Sequence, residues 1–286
     1  MTSLTSDICE IITKYIQKPT YELLDWIDIN KLDLDTLIIN PNSIDFFTKY
    51  QYKINFLWAS INPNAIEIIK KNLDKIDWRL LSKNPAALEL LIENQNKIDY
   101  ELFSGNINPN VIKILKLNKK KIQWYVLCKY TNNIDFLIEN KKKICWDALS
   151  LNHNAIQFLS LNPKKINWFE LSKNPNAIEL LTKNPDKIDW TSLSQNKNAI
   201  KLLTENQDKI DWPSLSANSG AIELLSNNID KIDWYELSGN PNAIELLKTN
   251  QDKIKWSKFT LNPSIFKKVY YDDKLIQKTL EIILTK

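Results

Sequence analysis

The sequence predicts an all-α fold, an α-solenoid of about eleven 22-residue repeats that each contain two short helices. Three observations predict it. An aromatic residue recurs at a fixed interval after an Ile-Asp pair, Asn-Pro pairs mark helix starts, and an asparagine stands where each second helix should end. Repeats of this length are typical of stacked architectures, so we expect one array of similar units.

The register of the repeat is set by the residue that follows each Ile-Asp pair, here called the anchor. The interval is 22 residues except between Tyr100 and Trp124, where we place a two-residue insertion at 106–107, in the loop before a helix. Units 1 to 11 are numbered from the anchors Leu34, Phe56, Trp78, Tyr100, Trp124, Trp146, Trp168, Trp190, Trp212, Trp234 and Trp256.

Each unit is predicted to hold two helices. In unit 10 the first begins at Asp233, a capping residue with Glu236 three positions later. The second begins at Asn240 with Pro241 at its first helical position, and it ends at Asn250, where asparagine can adopt the left-handed conformation. Helices this short are marginal alone, so the units must stack, as a rod or arc on the order of 100 Å long.

A leucine-rich repeat, which contains a strand, has a similar period and is the alternative fold. Its consensus requires an apolar residue two positions after the second leucine. The matching positions here carry Lys83, Gly105, Lys173, Gln195 and Gly239. The helical solenoid is therefore favoured.

Both ends depart from the repeat and are predicted to be helical caps, because the terminal units of a solenoid would otherwise expose their core. Residues 1–30 form the N-terminal cap, with helices at 7–16 and 20–26. The repeat solenoid spans 31–262. The C-terminal cap spans 263–286, with a helix at 272–284.

The segment Asn-Pro-Asn-Ala-Ile-x-Leu-Leu followed by Lys-Ile-Asp-Trp-x-x-Leu-Ser, as at 174–194, resembles a tandem repeat common in proteins of giant DNA viruses of the mimivirus type. The resemblance covers about residues 31–262, and the Asn-, Ile- and Lys-rich composition agrees with an AT-rich genome. It implies a viral protein in the host cytoplasm or the virion, and it implies no activity. Units 1 and 5 depart most, with Leu34 as an anchor and Tyr130-Thr131-Asn132 in place of Asn-Pro-Asn.

Because each position recurs in every unit, a sequence column becomes a stripe along the solenoid. The anchors, with Leu and Ser three and four residues later, are predicted to form a buried aromatic ladder. A lysine precedes each anchor by three residues, either to stabilise the preceding helix end or to form a positive ridge for phosphate or an acidic partner. This column is Lys31, Lys53, Lys75, Lys97, Lys121, Lys143, Lys165, Lys187, Lys209, Lys231 and Lys253.

Two groups of residues are candidate binding sites. The residue after each anchor varies along the chain, which indicates exposure, and Arg79, Tyr125, Phe169 and Tyr235 have the chemistry of interface hot spots, although scattered surface aromatics are also ordinary. The middle units are lysine-rich, which predicts salt-dependent polyanion binding even though the net charge is only +4. These candidates are Lys119, Lys120, Lys121, Lys141, Lys142 and Lys143.

Catalytic chemistry has few side chains to draw on. His153 is the only histidine, the three cysteines lack metal-ligand spacing, and the three glycines lie far apart. We therefore expect no enzyme, cofactor or metal. No signal peptide or long apolar stretch is present, so we expect a cytoplasmic protein with no membrane partner.

The function predicted from the sequence is a protein-interaction or scaffolding solenoid with a protein partner. The alternatives are a structural or virion assembly component, and a nucleic-acid or other polyanion binder that uses the lysine-rich middle units.

Overall fold

The computed structural model describes residues 20–269, and it confirms an all-α solenoid built from the predicted units. No strand occurs between residues 24 and 265, so the leucine-rich alternative is excluded. The helices expected at 7–16 and 272–284 lie outside the described residues.

The first helix of each unit begins at the anchor, as predicted. The residue before the anchor caps it: the side chains of Asp77 and Asp189 accept the backbone N–H three residues on, at 2.7 and 2.8 Å. The first helices span Leu34–Leu37, Phe56–Ala59, Trp78–Leu81, Tyr100–Phe103, Trp124–Tyr130, Trp146–Ser150, Trp168–Ser172, Trp190–Ser194, Trp212–Ser216, Trp234–Ser238 and Trp256–Phe259.

The second helix begins later than the sequence predicts. Asn240 Oδ1 accepts the N–H of Asn242 at 3.1 Å, so Pro241 lies in a tight turn and the helix starts at Ile244. In four units this turn is a 3₁₀ helix: Pro63–Ala65, Pro85–Ala87, Pro175–Ala177 and Pro263–Ile265. The second helices span Ile44–Tyr50, Ile66–Lys70, Leu88–Glu93, Val111–Leu117, Ile134–Glu139, Ile156–Ser160, Ile178–Thr182, Ile200–Glu205, Ile222–Ser226 and Ile244–Lys248.

The asparagine after each second helix is not left-handed, and that prediction is wrong. Asn250 has φ −131°, and its side-chain amide donates to the carbonyl of Leu246 at 2.9 Å, which satisfies an unpaired carbonyl of the last turn. Nine asparagines repeat this bond. The chain then makes a 3₁₀ turn at Ile29–Lys31, Gln95–Lys97, Lys119–Lys121, Lys141–Lys143, Pro163–Lys165, Pro185–Lys187, Gln207–Lys209, Ile229–Lys231 and Gln251–Lys253.

In every unit except unit 5, a buried asparagine joins the unit to the one before it. In unit 8 the Asn196 amide donates to the carbonyls of Ser172 and Asn174 at 3.0 and 2.9 Å, and its oxygen accepts the N–H of Asn198. The side chain is almost fully buried, so these bonds replace water. Ten asparagines, which we call the asparagine ladder, act in this way: Asn40, Asn62, Asn84, Asn106, Asn152, Asn174, Asn196, Asn218, Asn240 and Asn262.

A hydroxyl column ties the same junctions a second time. Ser82 Oγ donates to the carbonyl of its own anchor, Trp78, at 2.8 Å and accepts the N–H of Asp99 at 3.0 Å. Cys128 replaces serine in unit 5, and its Sγ accepts the N–H of Cys145 at 3.4 Å. Between these polar columns, the core consists of a leucine from most helices, replaced by Phe47, Phe103 or Phe259 in some, together with recurrent alanines and isoleucines.

The array closes into a ring, so the expected open rod is wrong. Asn40 in unit 1 donates to the carbonyl of Asn262 in unit 11 at 2.9 Å, the same bond that joins sequential neighbours. The N–H of Asp33 donates to Thr260 Oγ1, the hydroxyl-column position of unit 11. Unit 11 is therefore the neighbour of unit 1.

Both ends of the described chain complete unit 11. Strand β1, Thr20–Leu23, pairs antiparallel with strand β2, Phe266–Val269, where the other units have a second helix. The helix predicted at 20–26 is thus wrong, because Phe266–Val269 offers this segment an edge to pair with. The ammonium group of Lys31 lies 5.0 Å from the ring centroid of Trp256, the anchor of unit 11. Lys31 therefore follows unit 11 in space.

The first helices lie on the inner side of the ring. From unit 5 to unit 11 each first helix packs directly against the next, whereas no two second helices come equally close. The inner circumference of a ring is the shorter one, so the closer helices are the inner ones. With axes about 8–10 Å apart, eleven helices describe a circle on the order of 30 Å across. Helices about 10 Å thick leave an opening on the order of 20 Å.

The ladder is interrupted only between units 4 and 5 of this ring. Asn106 occupies the ladder position, so the two extra residues of unit 4 are Pro109 and Asn110, and the insertion predicted at 106–107 is displaced. Tyr130 stands where unit 5 would have its asparagine, and the first helix extends to it. The helix starts are otherwise kept, since Asn133 caps Phe136 at 2.9 Å.

We expect Asn196→Ala to lower the free energy of unfolding by about 2–3 kcal/mol, because it leaves the buried carbonyl of Ser172 without a donor and removes one of the two donors to the carbonyl of Asn174. Urea denaturation measures this. Asn198→Ala is the matched control: it removes one exposed bond to Pro175 and should cost about 1 kcal/mol or less. Equal losses in the two variants would contradict a structural role for the ladder.

We expect a disulfide to form between Glu22→Cys and Lys267→Cys, which face each other across β1 and β2, in a background with Cys9, Cys128 and Cys145 changed to Ser. Non-reducing electrophoresis of the monomer and peptide mapping detect it. The control pairs Glu22→Cys with Lys142→Cys, across the ring. Comparable cross-linking in the two pairs, or none in either, would refute closure.

Candidate functional site

The four predicted partner-binding residues occupy one column of the inner helices. Arg79, Tyr125, Phe169 and Tyr235 each follow an anchor and are all exposed. The exposed fractions are 54% for Tyr125 and 49% for Phe169 and Tyr235. The four belong to units 3, 5, 7 and 10, so they are spread around the inner face and do not form one compact patch.

Three of these four side chains already have a charged neighbour. The ammonium group of Lys173 lies 4.0 Å from the ring centroid of Phe169, and that of Lys258 lies 5.1 Å from Tyr235. Arg79 Nε is 3.8 Å from a carboxylate oxygen of Asp99. Tyr125 has no such contact within the described residues, so its ring is the most available of the four.

Sequence reasoning missed two members of the inner face. Leu57 follows the anchor of unit 2 and is 44% exposed, and Leu261, five residues after the last anchor, is 45% exposed. The repeat pattern could have identified Leu57, because Leu57 directly follows an anchor, as Tyr125 does. Aliphatic residues were not singled out because only aromatic and Arg chemistry was sought.

Three positions of each inner helix together carry no net charge. The positions one, two and five residues after the anchors hold five cations and five anions. The cations are Arg79, Lys83, Lys129, Lys173 and Lys258, and the anions are Asp35, Glu101, Asp147, Glu170 and Glu236. Several of them pair across this face, as Lys258 does with Glu236 at 3.2 Å. Such a surface has no long-range attraction for a polyanion.

The anchor side chains are only half-buried. The prediction that they form a buried aromatic ladder is therefore wrong about the extent of their burial. Neighbouring anchors do not stack on one another within the described chain. Instead a lysine of the column covers the ring of the preceding anchor, with its ammonium 4.3–5.5 Å from the centroid, which is cation–π geometry. The lysines are Lys31, Lys75, Lys97, Lys121, Lys209, Lys231 and Lys253.

The lysine-rich middle units differ from this pattern. Trp124 and Trp146 stack on Phe136 and Phe158 at 5.8 and 5.6 Å, and no column lysine covers them. Three consecutive 3₁₀ turns, Lys119–Lys121, Lys141–Lys143 and Pro163–Lys165, hold eight lysines on one rim of the ring, which we call the lysine sector. All eight are exposed, and none is ion-paired within residues 20–269.

The interrupted ladder leaves a shallow groove on the opposite rim. Ile107, which is 63% exposed, and Tyr130, which is 39% exposed, line it with Leu151 and His153. Partial burial and the nearby Lys197 lower the pKa of His153. No carboxylate, serine or cysteine lines this groove, and the other titratable side chains on it are Lys129 and Tyr130.

The remaining reactive groups have structural partners. Burial raises the pKa of the Cys128 thiol, which accepts a hydrogen bond in the hydroxyl column. Within the described part of the chain, no three His, Cys, Asp or Glu side chains converge as a metal site would require. The helices of that part are all too short or too polar to cross a bilayer.

No family model, curated protein or solved structure matches this chain. The resemblance to giant-virus repeats therefore stays a prediction, and the case for function depends on the surfaces described above.

We expect Lys209→Met to lower the free energy of unfolding by about 0.5–1 kcal/mol, because Lys209 covers Trp190 at 4.5 Å. Lys187→Met is the matched control, since Lys187 contacts only exposed Asp186 and its loss should cost close to nothing. Urea denaturation compares the two. Equal effects would show that the lysine column does not stabilise the anchors.

Proposed function

We propose that this protein is a non-catalytic ring that binds a segment of a protein partner on its inner face. The observation that carries the proposal is the column after the anchors. Its side chains change from arginine to tyrosine, phenylalanine, threonine and proline between units, and they stay exposed, while the ladder asparagines beside them are nearly constant. Folding constrains the ladder and leaves this column free for recognition.

The chemistry of the column suits a protein more than a polyanion. Half-exposed aromatic rings give a large contact area at little cost in side-chain entropy, and Arg79 adds directional donors. Balanced charges on the inner face can pair with a mixed-charge segment. An α-helix about 10–12 Å thick would pass through an opening on the order of 20 Å.

The resemblance to giant-virus repeats, if it reflects origin, would make the partner a viral or host protein of the cytoplasm. A structural role in a particle is the other function class, and no described feature of the inner face favours it. Abundance of the protein in purified particles would support that class.

The test is site-specific photocross-linking in the cells that make the protein, with a photoreactive phenylalanine at Tyr125. We expect a discrete adduct that the same probe at Ile92 does not give, since Ile92 is similarly exposed, at 46%, but lies on an outer helix. Alanine at Arg79, Phe169 and Tyr235 together, added to the Tyr125 probe, should abolish the adduct. An adduct from Ile92 alone, or one that survives the alanine changes, would refute inner-face binding.

A further inference from the structure

The lysine sector lacks the acids that accompany the column lysine elsewhere. In units 2, 7, 8 and 9 the turn reads Asp-Lys-Ile-Asp, as at 186–189. In units 4 to 6 the first aspartate is Lys120, Lys142 or Lys164, and the second is Gln123, Cys145 or Asn167. Three adjacent turns are thus basic without a carboxylate, and the ring places them side by side on one rim.

Folding does not explain the loss of the second aspartate. Asp77, Asp99, Asp189 and Asp211 cap their helices at 2.7–3.0 Å, whereas Gln123 and Cys145 make no capping bond. Losing a cap destabilises a helix start. Asn167 keeps its cap, because its Oδ1 accepts the N–H of Glu170 at 3.1 Å. The sector therefore gives up two of its three caps and gains an uninterrupted positive surface.

Two leucines protrude beside the sector. Leu117 is 86% exposed and Leu161 is 76% exposed, and they are the most exposed large apolar side chains of the described residues. Leu117 is the last residue of its second helix and Leu161 caps the end of its own, and one asparagine separates each leucine from Lys119–Lys121 or Pro163–Lys165. The same position in the other units is polar: Lys71, Glu93, Glu139, Lys183, Glu205, Asn227 and Thr249.

We infer that the lysine sector attaches the ring to the surface of an anionic lipid membrane. Clustered lysines are attracted to anionic headgroups, and leucines beside them can bury in the headgroup and acyl boundary. Glu139, which occupies the position of the two leucines in the unit between them, is paired with Lys116 at 3.9 Å.

A nucleic-acid backbone is the alternative occupant, and the sector fits it less well. It contains no arginine and no exposed aromatic side chain on which a base could stack. Protruding leucines contribute nothing to phosphate contacts, but they stabilise binding to a bilayer surface by burying their apolar area there. This attachment is peripheral and requires no spanning helix.

The experiment is flotation of the full chain with vesicles of pure phosphatidylcholine or of an equimolar mixture with phosphatidylserine. We expect binding only to the anionic vesicles, weakened by salt. The quadruple variant K119E/K120E/K141E/K142E should lower the partition coefficient on the order of 100-fold or more. Its charge-matched control, K71E/K197E/K201E/K248E, reverses four exposed lysines away from the sector and should retain most of the binding.

The leucine variant L117S/L161S separates a membrane from a nucleic acid. It keeps every charge, and we expect it to lower vesicle binding about 10-fold or more, since apolar burial is lost. Absence of flotation with anionic vesicles would overturn the inference. So would retention of a DNA duplex or a single-stranded RNA that depends on the four lysines and is unchanged in L117S/L161S. The Tyr125 adduct reports on the inner face, so it fails or succeeds independently.

Discussion

The buried asparagine amide is the interaction on which the rest of the ring depends. Each ladder asparagine accepts a backbone N–H of its own turn, and all but Asn40 donate to two carbonyls of the preceding unit, as Asn196 does. A buried amide with every partner in place specifies one geometry, because any shift leaves polar groups unsatisfied in a dry interior. The ladder thus fixes the distance and the rotation between neighbouring units.

A fixed rotation repeated eleven times is what allows closure. Asn40 meets Asn262 with the bond that other neighbours use, so the junction between units 11 and 1 needs no special geometry. β1 and β2 complete the unit from both ends of the described chain. In an open solenoid two terminal cores would face solvent. In the closed ring neither terminal core faces solvent, and the pair of β1 and β2 takes the place of the second helix of unit 11.

Closure also divides the surface into regions whose side chains differ in how far they can change without loss of the fold. The inner column of Tyr125 and Phe169 is exposed and makes no ladder bond, so its chemistry can change without loss of the fold. The column lysines are less free, because most of them cover an anchor. In the lysine sector Trp124 and Trp146 stack on phenylalanines instead, and of the eight lysines there only Lys121 covers an anchor, Tyr100. The other seven are available for another partner. Leu117 and Leu161 mark the same region independently of charge.

The sequence by itself determined the units, their anchors, the caps such as Asp189 and the candidate columns, because these depend on contacts within about one repeat. It misplaced the start of the second helix and the conformation of Asn250, since an asparagine side chain can satisfy a helix end in more than one way. Only the tertiary structure decided that the array closes and that Thr20–Leu23 is a strand. It also decided which lysines cover an anchor ring and which do not. Those outcomes depend on residues more than 200 positions apart, such as Asn40 and Asn262, and a small rotation per unit accumulates into a ring or an open arc that no local pattern distinguishes.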